Sequence, residues 1–424
     1  MPAADIHHLE FILLFVMALV IALAALARRF QTPYPIVLVA GGLAVSMLPN
    51  MPRVELNPDV VFLVLLPPLL FAAAFHTSWR SFRANLAKTS TMAFGLAGFS
   101  VAAVAYVAGW LFPGFNHRTG FVLGALVAST DAVAATAIAS RMGLSHQIRD
   151  MLEGESLLND ATSLVALEFS VAILVSNTVP TLGVGALRLL YVVAAGALIG
   201  FLAGWLIRWC QIRLTDAPLE ITLTLLAPYV AYLGAESAHA SGVLATVICG
   251  LYLGEHQSQA LTARARIEAS AVWSTLDFVL NGIVFALIGL QLPEVLSGIR
   301  GIRVSELLLD AVLLVVLLIA LRLLWVFAAS WIEFGMKKLA RQPTSRPLAN
   351  ETFVVGWTGM RGVITLAAAM SLPDVLDDGT PFPQRDMLIF LSFCIILITL
   401  VAQGLTLPTV IRRLRLCSMR EETG

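Results

Sequence analysis

The sequence predicts an all-α membrane protein of thirteen transmembrane helices built from inverted repeats. Three observations carry that prediction. Charge is scarce: 13% of the 424 residues are charged and 58% are hydrophobic, with a mean hydropathy of +0.86, whereas a soluble domain carries about a quarter charged residues. The missing charge is missing in blocks, as uncharged apolar runs of about 20 residues, the length that spans the hydrocarbon core as a helix. Basic residues collect in alternate loops, as they do on the cytoplasmic side of membrane proteins. Finally, two spans in corresponding places are interrupted at their middles by polar residues, the pattern of an inverted-repeat scaffold.

The spans run over 9–27, 33–49, 58–76, 88–112, 119–141, 147–177, 184–209, 218–237, 241–255, 269–292, 303–336, 350–372 and 386–411. Span one is led by Asp5, His7, His8 and Glu10 and followed by Arg28 and Arg29. That is the reverse of a signal peptide, so it reads as a retained helix with its N-terminus outside. Span nine is short. Spans six and eleven are long enough to tilt or to extend beyond the lipid. The loops test the count. Inside segments hold Arg28 and Arg29; Arg80, Arg83 and Lys88; Arg141 and Arg149; Arg208 and Arg213; and Arg264 and Arg266. They continue with Lys337, Lys338, Arg341 and Arg346, then Arg412, Arg413, Arg415 and Arg420. Outside segments hold Arg53, Arg118, Arg188, Arg300, Arg303 and Arg385. A mistaken span in the middle would invert this bias downstream, and no inversion occurs.

Net charge is zero, so nucleic acid is not an expected partner. Cys210, Cys249, Cys394 and Cys417 lack metal-ligand spacing and read as small hydrophobes. No cofactor is expected. The inside stretch from Lys337 to Asn350 reads as a linker, and 412–424 as a short cytoplasmic tail.

Ionisable groups deep in a span are costly and mark function. Here they are Asp131, Glu155, Asp160, Glu168, Arg322 and Arg361, with Asp277 and Glu236 less deep. The densest polar run is Glu153-Gly154-Glu155-Ser156-Leu157-Leu158-Asn159-Asp160-Ala161-Thr162-Ser163 in span six. Helical spacing places Ser156, Asp160 and Ser163 on one face, flanked by Asn159. A carboxylate, hydroxyls and an amide are hard oxygen donors suited to an alkali cation, without the thiolate or imidazole a transition metal prefers. A polar helix–helix contact would use the same residue types. Asp131 follows Ser129 and Thr130 in the break of span five. If the helix unwinds there, carbonyls and the Thr130 hydroxyl can coordinate a cation, and Asp131 either joins them or caps a half-helix. Arg361 lies in the break of span twelve, Gly356-Trp357-Thr358-Gly359-Met360-Arg361-Gly362. A buried arginine needs a carboxylate, and Glu155 is the expected partner in a structural ion pair.

Five segments resemble one family, the monovalent cation:proton antiporters of the bacterial sodium/proton exchanger type, in their Asn-Asp electroneutral branch. They are Leu66-Pro67-Pro68-Leu69-Leu70-Phe71, Ser129-Thr130-Asp131, Glu153 through Asp160, Phe285-Ala286-Leu287-Ile288-Gly289-Leu290 and Gly359-Met360-Arg361-Gly362. The resemblance implies a single transporter domain over 1–424 with crossed broken helices in spans five and twelve. Within it, 1–78 and 218–292 would form the dimerisation part of a homodimer, 88–177 and 303–411 the ion-transporting core, and 184–209 a linking helix. It also implies that sodium and protons compete at Asp160, with Thr130 and Ser156 helping to bind sodium and Asp131 supporting the crossing. Two positions depart from the family pattern. Ala132 stands where proline often follows the Thr-Asp pair, and Ala72, Ala73 and Ala74 stand where some members place a glutamate ligand.

The function these residues imply is secondary antiport of Na+ (or Li+ or K+) against H+ across the inner membrane, with Asp160 neutralised by one or the other, and no enzymatic activity. The rival expectation is a transporter of an organic anion or amino acid on the same scaffold, with Arg361 facing the substrate. A membrane protease would want a Ser/His, paired-Asp or His-Glu-x-x-His constellation; the last is absent, and Asp131 and Asp160 lack a protease context.

Overall fold

The computed structural model describes residues 3–30, 32–48, 58–77, 79–112, 114–176, 182–299, 304–341, 346–376 and 379–416. Among the described residues the chain is helical, with no β-strand beyond one isolated bridge between Val375 and Pro381. In chain order the helices are α1 (Ala3–Arg29), α2 (Tyr34–Ser46), α3 (Pro58–His76) and α4, which runs from Trp79 through a π-helical stretch at Thr91–Leu96 to Leu111. Then follow α5 (His117–Ala128), α6 (Ala132–Arg141), α7 (His146–Ser176), α8 (Leu182–Gln211), α9 (Ala217–Ser237) and α10 (Gly242–Ala260). The chain continues with α11 (Ala263–Leu290), α12 (Leu292–Gly298), α13 (Val304–Leu339), α14 (Ala349–Trp357), α15 (Val363–Met370) and α16 (Arg385–Arg413).

Among the described residues, nine helical segments are long and apolar enough to cross a membrane, and one of them is the broken pair α5–α6. The protein is therefore a multi-pass membrane protein. The lipid-length helix α8 shows why apolar length, and not amphipathicity, was the readable signal: Leu187, Leu190, Leu198 and Trp205 all stay exposed along it, as a lipid-facing surface requires. The breaks fall where the sequence places them. Span five divides into α5 and α6 around Ser129–Asp131, and span twelve into α14 and α15 around Thr358–Gly362.

Helices α4 to α7 pack with one another and with α13 to α16 around the two breaks, while α1, α2, α3, α9, α10 and α11 pack among themselves. Helix α8 lies against α9 and α10. The short span nine becomes α10, one of the most enclosed helices, gripped between α3, α8 and α9. Backbone-to-backbone approach takes the place of a water-driven core: a Cβ on Gly289 would strike the backbone of Val39 and Leu43, so α2 and α11 meet without side chains between them. Buried aromatic groups such as Trp273 against Phe71, with ring centroids 4.8 Å apart, fill the remaining space.

Candidate functional site

The two breaks meet, and each unwound segment satisfies the other. The backbone N–H of Asp131 donates to the Met360 carbonyl at 2.8 Å. Four half-helix ends converge here, each carrying unpaired backbone groups and a partial charge. At the C-terminal end of α5, the Val127 carbonyl accepts from Arg361 Nε at 3.0 Å and the Ala128 carbonyl from Asn159 Nδ2 at 3.0 Å. At the C-terminal end of α14, the Val355 carbonyl accepts from Arg322 Nη2 at 3.1 Å and from the Thr358 hydroxyl at 3.0 Å. Arg361 Nη1 also donates to the Gly359 carbonyl. Cations thus sit at both negative ends. At the positive N-terminal end of α6, Asp131 Oδ1 accepts from Val133 N–H at 2.7 Å. The same carboxyl packs against Gly362, which precedes α15, so closely that a Cβ at Gly362 would overlap it. Asp131 therefore stands between two helix N-termini, in the geometry of a cap.

One expected contact is corrected. The partner of Glu155 is Arg322 and not Arg361: Arg322 Nη1 and Nη2 reach Glu155 Oε1 and Oε2 at 2.5 and 3.0 Å. Both side chains are buried. The physical reason is that the α5 and α14 ends already supply Arg361 with backbone acceptors, so it answers its burial with carbonyls. Arg322, in the apolar middle of α13, has a carboxylate and one carbonyl within reach. The sequence named Arg322 as a deep charge without assigning it a partner; its isolation in an otherwise apolar span was the signal that it needed one.

Asp160 lies on α7 beside the α5–α6 break and is 5% exposed. Its Oδ1 accepts from the Ser129 hydroxyl at 2.5 Å. Ser163 donates to the Asp160 backbone carbonyl at 3.0 Å. The residues expected around it sit close by but are otherwise engaged. Ser156 donates to the Thr130 carbonyl at 3.0 Å and accepts from Ala132 N–H at 3.3 Å. Thr130 Oγ1 accepts from Asn159 Nδ2 at 2.9 Å. Asn159 is 2% exposed and its Oδ1 has no partner. An unmatched acceptor in a buried site costs free energy, and here it adds an oxygen without a donor next to a buried carboxylate. Ser129, the hydroxyl that touches the carboxylate, appeared in the sequence only as part of the break. A backbone bend sets which of three consecutive residues points inward, and helical spacing along α7 carries no information about it.

Asp277 in α11 accepts from Asn281 Nδ2 at 2.9 Å and stays partly exposed. Glu168 lies further along α7 and is exposed. Neither is brought to Asp160 by a hydrogen bond. The π-helical stretch of α16, Thr399–Gln403, touches the second break, where the Thr399 hydroxyl accepts from Arg361 N–H at 3.2 Å. Such widened turns recur at functional positions.

The structure is similar to that of the sodium proton antiporter MjNhaP1 from Methanocaldococcus jannaschii, with a TM-score of 0.76 at 18% identity, covering 97% of this chain and 99% of that one. In sequence, the chain is 34% identical over 418 residues to an uncharacterized Na(+)/H(+) exchanger of Mycobacterium tuberculosis, covering 96% of this chain and 76% of that protein. It is 32% identical over 412 residues to the sodium, potassium, lithium and rubidium/H(+) antiporter of Bacillus pumilus, covering 94% and 61%. The family model described as sodium/hydrogen exchanger, transmembrane, matches residues 15–413, which takes in both breaks, Asp160 and the Glu155–Arg322 pair. With the fold, the relatives and the family model in agreement over nearly its whole length, the chain belongs to the sodium/hydrogen exchanger family.

Proposed function

We propose that this protein is a secondary antiporter that exchanges Na+, or Li+ or K+, for H+ at one site centred on Asp160. The observation that carries the reading is the buried carboxylate of Asp160 with a single hydroxyl donor, next to the unpartnered Oδ1 of Asn159. The site is rich in oxygen acceptors and poor in donors, and a cation or a proton supplies what it lacks. Na+ is here a substrate: the Asp160 carboxylate, the Asn159 carbonyl oxygen, the Ser156 and Thr130 oxygens and carbonyls of the break would compose its shell. Asp131 acts from the cap. Carrying a bare carboxylate through the closed state is costly, so the core reorients only when Asp160 holds one ion or the other. That condition couples the two fluxes, and with one carboxylate per cycle the exchange is electroneutral.

The same reading has all thirteen spans crossing the inner membrane, with the N-terminus outside and the C-terminus cytoplasmic. It has 1–78 and 218–292 as a dimerisation part, 88–177 and 303–411 as the moving core, 184–209 as the link, and a homodimer as the assembly. The protein then acts as a carrier and not as an enzyme, and works without a cofactor. A cysteine at position 4 should label from the outer face; labelling only from the cytoplasm would reverse the topology.

The organic-anion alternative asks for a free cationic group at the substrate site. Arg361 is spent on backbone carbonyls and Arg322 on Glu155 and Val355, which speaks against it. The deciding measurement is sodium-driven dissipation of a pH gradient in proteoliposomes containing no organic solute. Wild type should show it and Asp160→Asn should not; persistence in the variant would remove Asp160 from the centre of the exchange.

A further inference from the structure

Thr365 is 1% exposed and its Oγ1 has no hydrogen-bond partner. A helical threonine normally returns its hydroxyl to a carbonyl three or four residues back. Helix α15 begins only at Val363, so at Thr365 that helical carbonyl does not exist. A buried hydroxyl without a partner is a standing cost, and the residue that bears this one lines a cleft together with Ser129 and Ser163. Both serines are joined to Asp160: Ser129 donates to the carboxylate, and Ser163 donates to the backbone carbonyl. Each has given up its proton and keeps free lone pairs. Ser129, Ser163 and Thr365 therefore belong to the wall of one narrow cleft, together with Leu164, Leu167 and Ile364, and the surface this wall exposes is apolar. In this conformation the cleft is too narrow to admit water.

The cleft lies on a defined side of Asp160. Its α5 wall precedes Ser129, its α7 wall follows Asp160, and its α15 wall follows Gly362. All three lead to the end of the molecule where α5 starts and where α7 and α15 finish. On the opposite side Ser156 and Asp131 are partly exposed, whereas Ser129, Ser163 and Thr365 are buried. Burial is thus deeper on the side of this cleft than on the side of Ser156 and Asp131.

We propose that Thr365 is an oxygen station on the closed half of the path. When α15 parts from α5 and α7, its hydroxyl joins those of Ser129 and Ser163 in holding the partly dehydrated alkali cation between the outer face and Asp160. The inference rests on the antiport reading and adds to it a residue that sets cation affinity on one face only. The apolar walls serve as the seal when the station is closed.

The test compares Thr365→Val, which keeps the shape and loses the oxygen, with Thr365→Ser, which keeps the oxygen. Sodium- and lithium-driven exchange is measured in right-side-out and in everted vesicles, beside wild type and Asp160→Asn. Thr365→Val should raise the apparent KM for cation about five- to tenfold from the outer face, on the scale of one lost oxygen contact. It should leave the inner-face KM within about twofold, and Thr365→Ser should restore the outer value. A wild-type KM on both faces in Thr365→Val, or a Thr365→Ser that behaves like the valine variant, overturns the station while leaving antiport at Asp160 intact. Should Thr365→Val fail to assemble, Thr365→Ala against Thr365→Ser makes the same comparison. A wild type that exchanges no better than Asp160→Asn would instead overturn the antiport reading, and the station with it.

Discussion

Arg322 holds two elements at once, clamping Glu155 of α7 with two nitrogens while its Nε and Nη2 close the end of α14 through Val355. Removing Glu155 would leave a buried guanidinium with only a carbonyl. Glu155→Ala should therefore destabilise the protein by about 3–5 kcal/mol, read as a lower unfolding temperature in detergent. The double variant Glu155→Leu, Arg322→Met should recover much of that loss, because a buried pair replaced by apolar groups of similar volume is often neutral. Asp131 poses a different question, ligand or cap. Its Oδ1 bond to Val133 N–H is one that an asparagine can also accept. Asp131→Asn should keep cation KM within about threefold while lowering the maximal rate, since only the charge facing the two helix ends is lost; a KM rise matching that of a direct ligand would place Asp131 in the cation shell. At this scale the sequence revealed which residues matter, because ionisable groups in lipid-length spans are few. It did not reveal who pairs with whom. Arg322 and Arg361 are chemically alike, and the choice between a carboxylate and carbonyl partners was made by helix ends that no local spacing encodes.

The broken helices are legible as elements for a simple reason: Ser129-Thr130-Asp131 and Thr358 through Gly362 put polar and glycine residues where an apolar helix should continue. Their ends could be anticipated to within a residue or two. The contact between them could not, since the Asp131 N–H to Met360 carbonyl bond is made by backbone groups every residue owns. What permits the crossing is the absence of a side chain at Gly362, whose position leaves room for the Asp131 carboxyl and nothing more. Gly362→Ala should push that carboxyl off the start of α6, costing its cap about 1–2 kcal/mol and lowering the maximal exchange rate by at least about tenfold. Fluorescence-dye assays of antiport on Gly362→Ala, with folding checked by gel filtration, measure it. Near-wild-type exchange would mean that the two breaks can separate without loss.

For the whole molecule, the proposed exchange would depend on one carboxylate serving two ions, and that requirement would show in its pH dependence. If Na+ and H+ compete for Asp160, each weakens the other's binding by the same factor, as linkage demands. Lowering pH on the side where cation is offered should raise the apparent KM for Na+, approaching about tenfold per pH unit once the carboxylate is mostly protonated. The maximal rate at saturating Na+ on that side should stay level, because enough cation displaces the proton. At higher pH on that side the KM should become constant, because Asp160 then meets Na+ already unprotonated. A KM that levels off as pH falls, or a maximal rate at saturating Na+ that changes with pH on that side, would require separate sites for the two ions. The same vesicles give the stoichiometry: with one cation against one proton, an imposed membrane potential leaves the rate unchanged, and acceleration by a potential would require a second charge beyond Asp160. The architecture favours the first result. Arg361 and Arg322 are tied to helix ends and to Glu155, Asp131 faces two helix N-termini, and Asn159, the residue before Asp160, carries no charge.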